Sequence, residues 1–287
     1  MTMTMKKSYV QSVVIQKKKQ KIIMIQKKMK VISLGLGVQS TAMYLMSSLG
    51  ELNRADYAVF ADPGAEHPKT YELLIYLEKW QKENNGIPII TRAKNLKQDL
   101  LNKQNSTGQR FASIPAYTST GGMIRRQCTK EYKIDVVVKV VRDLHGLKKF
   151  QHLPLTEFWL GISIDEIQRM KDSRFHRIVY KYPLIDKQLR RSDLKKWLND
   201  NGFPIPVKSA CIFCPYQGDA RWKDLKKNYP EQFELTVKID EAIRDSSKKG
   251  IKDPIYLHKA KKPLKDIDFE SQQDLFEEIC DEGYCGI

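Results

Sequence analysis

The sequence predicts an α/β protein: an open, doubly wound, mainly parallel sheet with flanking helices, followed by a small helical region that carries cysteines. Three observations predict it. Short apolar runs with strand composition recur at Val31 to Leu34, Tyr57 to Ala61, Ile87 to Thr91 and Phe158 to Ile162. Between them lie segments whose apolar residues recur at three and four, so the connections read as helices and the strands as parallel with right-handed crossovers. Polar or glycine-bearing turns follow the strands, where ligands of such sheets collect.

The first run ends in Gly35-Leu36-Gly37-Val38-Gln39-Ser40-Thr41. Two glycines let the backbone turn with its amides exposed. Ser40 and Thr41 then sit at the start of a helix read over Thr41 to Leu49, whose N-terminus offers unpaired N–H groups and a positive dipole end to an anion. Ser33 to Thr41 is therefore a candidate phosphate cradle. The second run ends at Asp62-Pro63-Gly64 and leads into a helix through Tyr71, Leu74, Leu77 and Trp80. Residues 103–124, rich in Asn, Ser, Thr and Gly, read as a long mobile segment over the site. Arg125-Arg126-Gln127-Cys128-Thr129 follows and leads into a helix through Ile134, Val137, Val138 and Val141. The fourth run gives way to a polar stretch from Ser163 to Met170, and Tyr182-Pro183-Leu184 leads to a helix from about Ser192 to Asn199, capped by Ser192 or Asp193. Trp197 and Trp222 sit at helical spacings and read as core.

Composition narrows the class. Of a formal net charge of +16, half comes from residues 1–28, which hold eight lysines and no acid. This stretch has neither the continuous apolar core of a secretory signal nor the arginines of a transit peptide, and reads as a basic, disordered or loosely helical tail. Its charge would attract nucleic acid nonspecifically. No segment approaches the roughly 18 apolar residues needed to span a membrane, so the sequence predicts a soluble, cytoplasmic protein without membrane partners. The organisation read from it is a tail over 1–28, a nucleotide-binding domain over 29–204 and a cysteine-bearing helix and loop region over 205–287.

Five cysteines, an odd number with no secretory signal, argue against a disulfide scaffold and for metal or thiol chemistry. Cys211 and Cys214 form Cys-Ile-Phe-Cys, a spacing that grips one metal ion or one cluster edge. Cys128 precedes them beside Arg125 and Arg126, whose charge would favour its thiolate. Arg125, Arg126, Arg169 and Arg174 are suited to bidentate contacts with phosphate or sulfate oxygens.

Taken together, the segments resemble the adenosine 5′-phosphosulfate and 3′-phosphoadenosine phosphosulfate (PAPS) reductases, within the PP-loop ATP pyrophosphatases of the adenine nucleotide alpha hydrolase-like superfamily. The resemblance runs from about Val31 to Tyr229. Gly35 to Thr41 lies where the superfamily has Ser-Gly-Gly-x-Asp-Ser-Thr. Asp62-Pro63-Gly64 with Glu66 and His67 to Thr70 is similar to the reductases' Asp-Thr-Gly and Pro-Glu-Thr segment. Cys128, Thr129 and Lys133 resemble their Cys-Cys-x-x-x-Lys region, Gly161 to Arg169 their substrate segment, and Cys211 with Cys214 their cluster-bearing C-x-x-C. The resemblance implies an adenine nucleotide held by Ser33, Gly35, Gly37, Gln39, Ser40, Thr41, Asp62, Gly64, Glu66, Arg125, Arg126, Gly161 and Arg169. It further implies a 4Fe–4S cluster, or alternatively zinc, on Cys128, Cys211 and Cys214, and reduction of a sulfonucleotide to sulfite with a thiol reductant such as thioredoxin. Cys285 or Cys280, in the terminal Cys-Asp-Glu-Gly-Tyr-Cys-Gly, is the candidate nucleophile.

Two departures open alternatives. Gln39 stands where ATP-cleaving members have Asp and cannot give a carboxylate to Mg²⁺, although Asp62 could still hold a metal. Gln127-Cys128 replaces an adjacent cysteine pair, and a three-cysteine cluster also resembles the sulfurtransferases that thiolate tRNA or DNA with ATP, for which a basic surface would bind nucleic acid. A third reading is a noncatalytic nucleotide or nucleic-acid binding protein with structural zinc.

Overall fold

The structure, a computed structural model, describes residues 28–111 and 114–269. Strands β1 (Met29–Ser33), β2 (Tyr57–Asp62), β3 (Ile89–Ala93), β5 (Thr156–Leu160) and β6 (Ile178–Lys181) form one sheet in the order β3-β2-β1-β5-β6, every pairing parallel. A separate antiparallel ribbon joins β4 (Tyr117–Thr118) to β7 (Ile255–Tyr256). The doubly wound α/β class read from the sequence is the class observed.

Side chains alternate along each central strand, and both faces are buried, which is why these strands read as continuous apolar runs. Ile32, Ala58, Phe60 and Trp159 face helices α1 (Val38–Leu49), α2 (Pro68–Glu83) and α6 (Arg191–Asp200) through Met43, Tyr44, Leu74, Leu77, Leu194 and Leu198. Val31, Val59, Ala61, Phe158 and Ile178 face Val136, Val137, Val140 and Val141 of α4 (Asp135–Leu144) on the other side.

A third core lies beside the sheet. Helices α7 (Asp219–Asn228) and α8 (Pro230–Ile243) bury Trp222, Leu225, Phe233, Ile239 and Ile243 against Leu96 and Leu100 of α3 (Leu96–Leu101), Phe111, Ala116 and Tyr132. The region after residue 205 thus shares its core with residues from the first half of the chain. The described residues of segment 103–124 are tied into the same structure: Lys103 Nζ donates to Asp245 O at 2.8 Å, Asn105 Nδ2 and Ser106 N–H donate to Glu131 Oε1 at 3.2 and 3.1 Å, and Ser119 N–H donates to Pro254 O at 2.9 Å.

Several local boundaries differ from the sequence reading. Helix α1 starts at Val38, three residues early, because Gly37 is extended (φ −95°, ψ 174°) and supplies the cap position. The cap position of α6 is Arg190, and Asp193 reaches back from the first turn to accept its N–H at 2.8 Å. Strand β6 and the short α5 (Pro183–Asp186) have no counterpart in the sequence reading. Trp222 is fully buried, and Trp197 packs partly buried against the sheet core, stacked on Phe203 with its indole N–H on Glu51. Among the described residues no helix is long and apolar enough to cross a membrane.

Candidate functional site

In the strand order, neighbours β1 and β5 are the two from which the chain winds in opposite directions, and a crevice forms at their carboxyl ends. The loops that leave these strands are the Gly35 turn and the segment from Gly161 onward. Between them lies a cleft of about 290 Å³.

The Gly35 loop is shaped by its own hydrogen bonds. Leu36 takes a left-handed conformation (φ 57°) with its side chain fully buried. Ser40 Oγ accepts from Gly35 N–H at 3.2 Å and donates to Gly37 O at 3.3 Å, closing the turn over the start of α1. The first turn of α1 carries no acidic residue to neutralise its positive end. Gly161 lies flat against this turn: a Cβ there would stand 2.7 Å from Ser40 N and 2.8 Å from its Cα. Ser33, Gly35, Gly37, Gln39, Ser40 and Gly161 all line the cleft.

Thr41 does not. With the helix beginning at Val38, its N–H is spent on Gly37 O at 3.0 Å, and its side chain faces the interior, 1% exposed. Asp62 and Gly64 are also absent from the wall. The Asp62 carboxylate closes its own turn, accepting from Gly64 N–H at 2.7 Å and Tyr71 Oη at 2.8 Å.

Gln39 is held from both ends. Its Oε1 accepts from Arg191 Nη1 at 3.2 Å and its Nε2 reaches Ser163 Oγ at 3.4 Å. A guanidinium thus approaches the loop at Gln39. Arg169 and Arg126 line the same cleft, joined by Arg191, Lys208 and Lys133. Arg169 pairs with Glu166 at 2.7 Å, while the second oxygen of Glu166 is buried without a hydrogen-bond partner; burial, more than any neighbour, holds this carboxyl above its ordinary range. Arg125 lies outside the cleft, in a groove beside it, together with Arg174.

The opposite wall carries Cys128, Cys211 and Cys214, all half-buried and without a disulfide. The Asp62 segment positions the pair, since Ile212 N–H donates to Ala65 O at 2.9 Å and Glu66 bridges to Cys211. Cys214 N–H then closes the turn onto Cys211 O at 3.0 Å. Cys128 stands at the cap position of a π-helical stretch, Thr129–Ile134, that runs into α4. Beneath the thiols Lys133 Nζ meets Glu66 Oε1 at 2.9 Å, and Ser209 Oγ donates to Glu66 Oε2 at 3.2 Å. Glu66, expected on the nucleotide, is instead the fully buried anion of this pair.

Electrostatics at Cys128 run opposite to the sequence expectation. Burial pushes its thiol up, and the charges of Arg126 and Lys133 only partly offset this. Cys211 is pushed up more strongly, by burial first and then by the Glu66 carboxylate. The thiols feel one another's charge, yet among the described residues no three Cys, His, Asp or Glu side chains are grouped closely enough to hold a metal ion as they stand. Cys280 and Cys285 lie outside the described residues.

Ser163 opens the polar stretch marked in the sequence, whereas sequence reasoning missed Arg191, Lys208 and Ser209. Each lies far along the chain from the loop it serves, and only the strand order brings it there; the sole local signal was the polarity of the strand ends. No protein-family model and no curated protein matches the sequence. Among solved structures the chain is similar to a phosphoadenylyl-sulfate (PAPS) reductase from Candida auris, with 11% identity and a TM-score of 0.39 over 65% of this chain and 79% of that one. It is similar also to the U34-tRNA thiolase NcsA from Methanococcus maripaludis, solved with its 4Fe–4S cluster, with 14% identity and a TM-score of 0.36 over 76% and 72%.

Proposed function

We propose that the protein is a PAPS reductase-like enzyme of the PP-loop class, which binds an adenine nucleotide at the Gly35 loop and carries out sulfur chemistry beside Cys128, Cys211 and Cys214. The observation that carries this reading is that the anion cradle and all three cysteines line one cleft. Helix N–H groups at Val38 to Ser40 would take phosphate oxygens, and Arg169, Arg191 and Lys208 would balance their charge. The engagement of Gln39 with Arg191 favours a sulfonucleotide, whose phosphate can be met by guanidinium, over ATP cleavage at a carboxylate-held Mg²⁺.

The donor set fits a 4Fe–4S cluster or a zinc ion in kind: three thiols share one wall, with a lysine charge beside them that would offset thiolate charge. Cys128, Cys211 and Cys214 would hold the group, which when bound draws the thiols into their deprotonated form and polarises the neighbouring ligand. The remaining residues do the binding and orienting. In the reduction itself a cysteine thiolate, for which Cys285 and Cys280 are the candidates, attacks the sulfur of the sulfonucleotide. An S–S bond forms, the S–O bond to phosphate breaks, and the nucleotide leaves with its phosphate. A dithiol reductant of the thioredoxin class then releases sulfite and is itself oxidised to a disulfide.

The test is anaerobic purification with metal analysis and an absorption spectrum, followed by sulfite release from adenylyl sulfate or its 3′-phosphate. Iron with acid-labile sulfide and sulfite formation support the reading. A colourless zinc protein removes the cluster; Cys285→Ser with intact sulfite production removes Cys285 as the nucleophile, and intact production with Cys280→Ser as well removes the tail nucleophile. Pyrophosphate release from ATP in the presence of a nucleic-acid acceptor would replace the reductase by a sulfurtransferase.

A further inference from the structure

Beside the cleft runs a second, larger depression of about 1390 Å³. Small-molecule pockets occupy roughly 300–1,000 Å³, so this groove exceeds what a single nucleotide or metabolite would fill. Eight lysine and arginine side chains line it against two acids, Glu131 and Asp135. Both acids are already engaged: Glu131 with Arg110 at 2.7 Å and Ser106 Oγ at 2.5 Å, Asp135 with Lys130 at 2.7 Å. Arg125, Lys171 and Arg174 have no acidic partner within 4.0 Å among the described residues. The crowding is felt at Lys171, whose ammonium is held below its ordinary range by burial and by the charges of Arg174, Arg126 and Arg169. Such a concentration of like charge inside one concavity is costly unless an extended anion occupies it.

Aromatic rings interleave with the charges. Phe175, Tyr180 and Tyr216 line the groove, and the Arg126 guanidinium lies over the Tyr216 ring at 5.6 Å. Charge that tracks a backbone, alternating with rings on which bases stack, is the composition of single-strand nucleic-acid sites. An acidic peptide or an inorganic polyanion would use the charges and leave the rings idle. The groove also opens into the cleft, because Arg126, Thr129, Arg169 and Tyr180 belong to both walls.

We propose that this groove binds a single-stranded segment of nucleic acid along its phosphate backbone and leads one nucleotide of it to the mouth of the cysteine-lined cleft. Binding stands on the groove alone; the approach of one of its nucleotides to the cleft rests on the reading of that cleft as a nucleotide site above.

The test is binding of a labelled single-stranded oligonucleotide to the full chain, by anisotropy across a salt series, with a linear polyphosphate of equal charge as competitor. Each neutralised phosphate of a single strand adds about 0.7 to the logarithmic salt slope, so a slope of about −2 or steeper is expected. Lys171→Glu, alone and with Arg174→Glu, should weaken the oligonucleotide at least tenfold, and Lys171→Arg should restore it. Adenine-nucleotide affinity of Lys171→Glu should stay within about twofold. Phe175→Leu should weaken the oligonucleotide several-fold and leave polyphosphate unchanged. Oligonucleotide affinity indifferent to both charge reversals would overturn the proposal by moving binding elsewhere, to the basic residues 1–28 for instance. So would polyphosphate that binds as tightly as the oligonucleotide. If adenine nucleotides fail to bind at the Gly35 loop while the oligonucleotide behaves as described, the reading of the cleft fails and that of the groove stands.

Discussion

Gly161 and Gly37 both line the cleft, but physical chemistry separates their roles. A methyl group at Gly161 would meet the backbone of Ser40 at 2.7 and 2.8 Å, and backbone inside a helix turn cannot step aside. Gly161→Ala should therefore push β5 off α1, costing about 1–3 kcal/mol of stability and at least tenfold in nucleotide affinity. At Gly37 a Cβ meets nothing within 4 Å and the backbone is extended, so Gly37→Ala should change stability by no more than about 0.5 kcal/mol. Urea unfolding and calorimetric titration with adenylyl sulfate separate the two outcomes. The Glu66–Lys133 pair is a different case. Glu66→Gln leaves the lysine without its counter-charge beside the thiols; because the Lys133 side chain is 37% exposed and reaches water, the cost should be about 1 kcal/mol rather than that of a fully buried pair. Equal stability of this variant and the parent in urea would show that water already solvates Lys133.

At the scale of elements, helix caps and anchors carry the sharpest expectations. His67 occupies the cap position of α2, where its Nδ1 accepts from Lys69 N–H at 3.3 Å and its ring packs edge-on against Tyr229. Burial, then the charge of Arg221, hold this imidazole below its ordinary range near 6.5, against a smaller opposing pull from Asp224. A depressed folded-state value means that its contribution is complete above about pH 6.5 and is lost as pH falls through the folded value. Protonation also puts a hydrogen on the nitrogen that must accept. Stability should thus decline on mild acidification, and His67→Asn, which keeps a cap acceptor without a titrating ring, should flatten that part of the curve. Asp240 on α8 is the corresponding anchor of the C-terminal region: fully buried, it accepts from Leu257 N–H at 2.9 Å and Leu264 N–H at 3.0 Å and pairs with Arg244. Asp240→Ala should cost about 3–5 kcal/mol and expose amides 255–264 to hydrogen exchange. What the sequence revealed at this scale follows from burial. Strands β1, β2 and β5 are apolar on both faces and read as runs; β6, an edge strand of Ile-Val-Tyr-Lys with exposed Val179 and Lys181, carries too weak a pattern to stand out. The Gly35 loop and the C-x-x-C pair are local in sequence and were legible. The Arg191 contact with Gln39 spans 152 residues and exists only because α6 packs on α1, which no local pattern encodes.

For the whole molecule, the decisive fact is how the cores are shared. The sequence suggested a boundary near residue 205, with a nucleotide-binding domain before it and a cysteine-bearing region after it. In the structure, Leu96, Leu100, Phe111 and Tyr132 from before that boundary pack with Trp222, Leu225, Phe233 and Ile243 from after it. The pair Cys211 and Cys214 is likewise hung from the Asp62 segment through Ala65 and Glu66. The sheet cores belong to the first part, but the third core is completed only by residues from both parts, and a site that sets Cys211 and Cys214 opposite the Gly35 loop needs both held in register. Unfolding should then be a single cooperative event. Two tryptophans report on the two sides: Trp159 lies in the sheet core and Trp222 in the C-terminal core, each almost fully buried. With Trp80 and Trp197 replaced by Phe, variants that further carry Trp159→Phe or Trp222→Phe retain a single reporter, and fluorescence and far-ultraviolet circular dichroism should trace coincident urea transitions. Removal of residues 205–287 should give a chain that binds a hydrophobic dye and lacks a cooperative transition, because the apolar faces of Leu96, Leu100 and Tyr132 are left uncovered. Two separated transitions, or a truncated chain that still unfolds cooperatively, would restore the boundary at 205 and make the cleft an interface between independent domains.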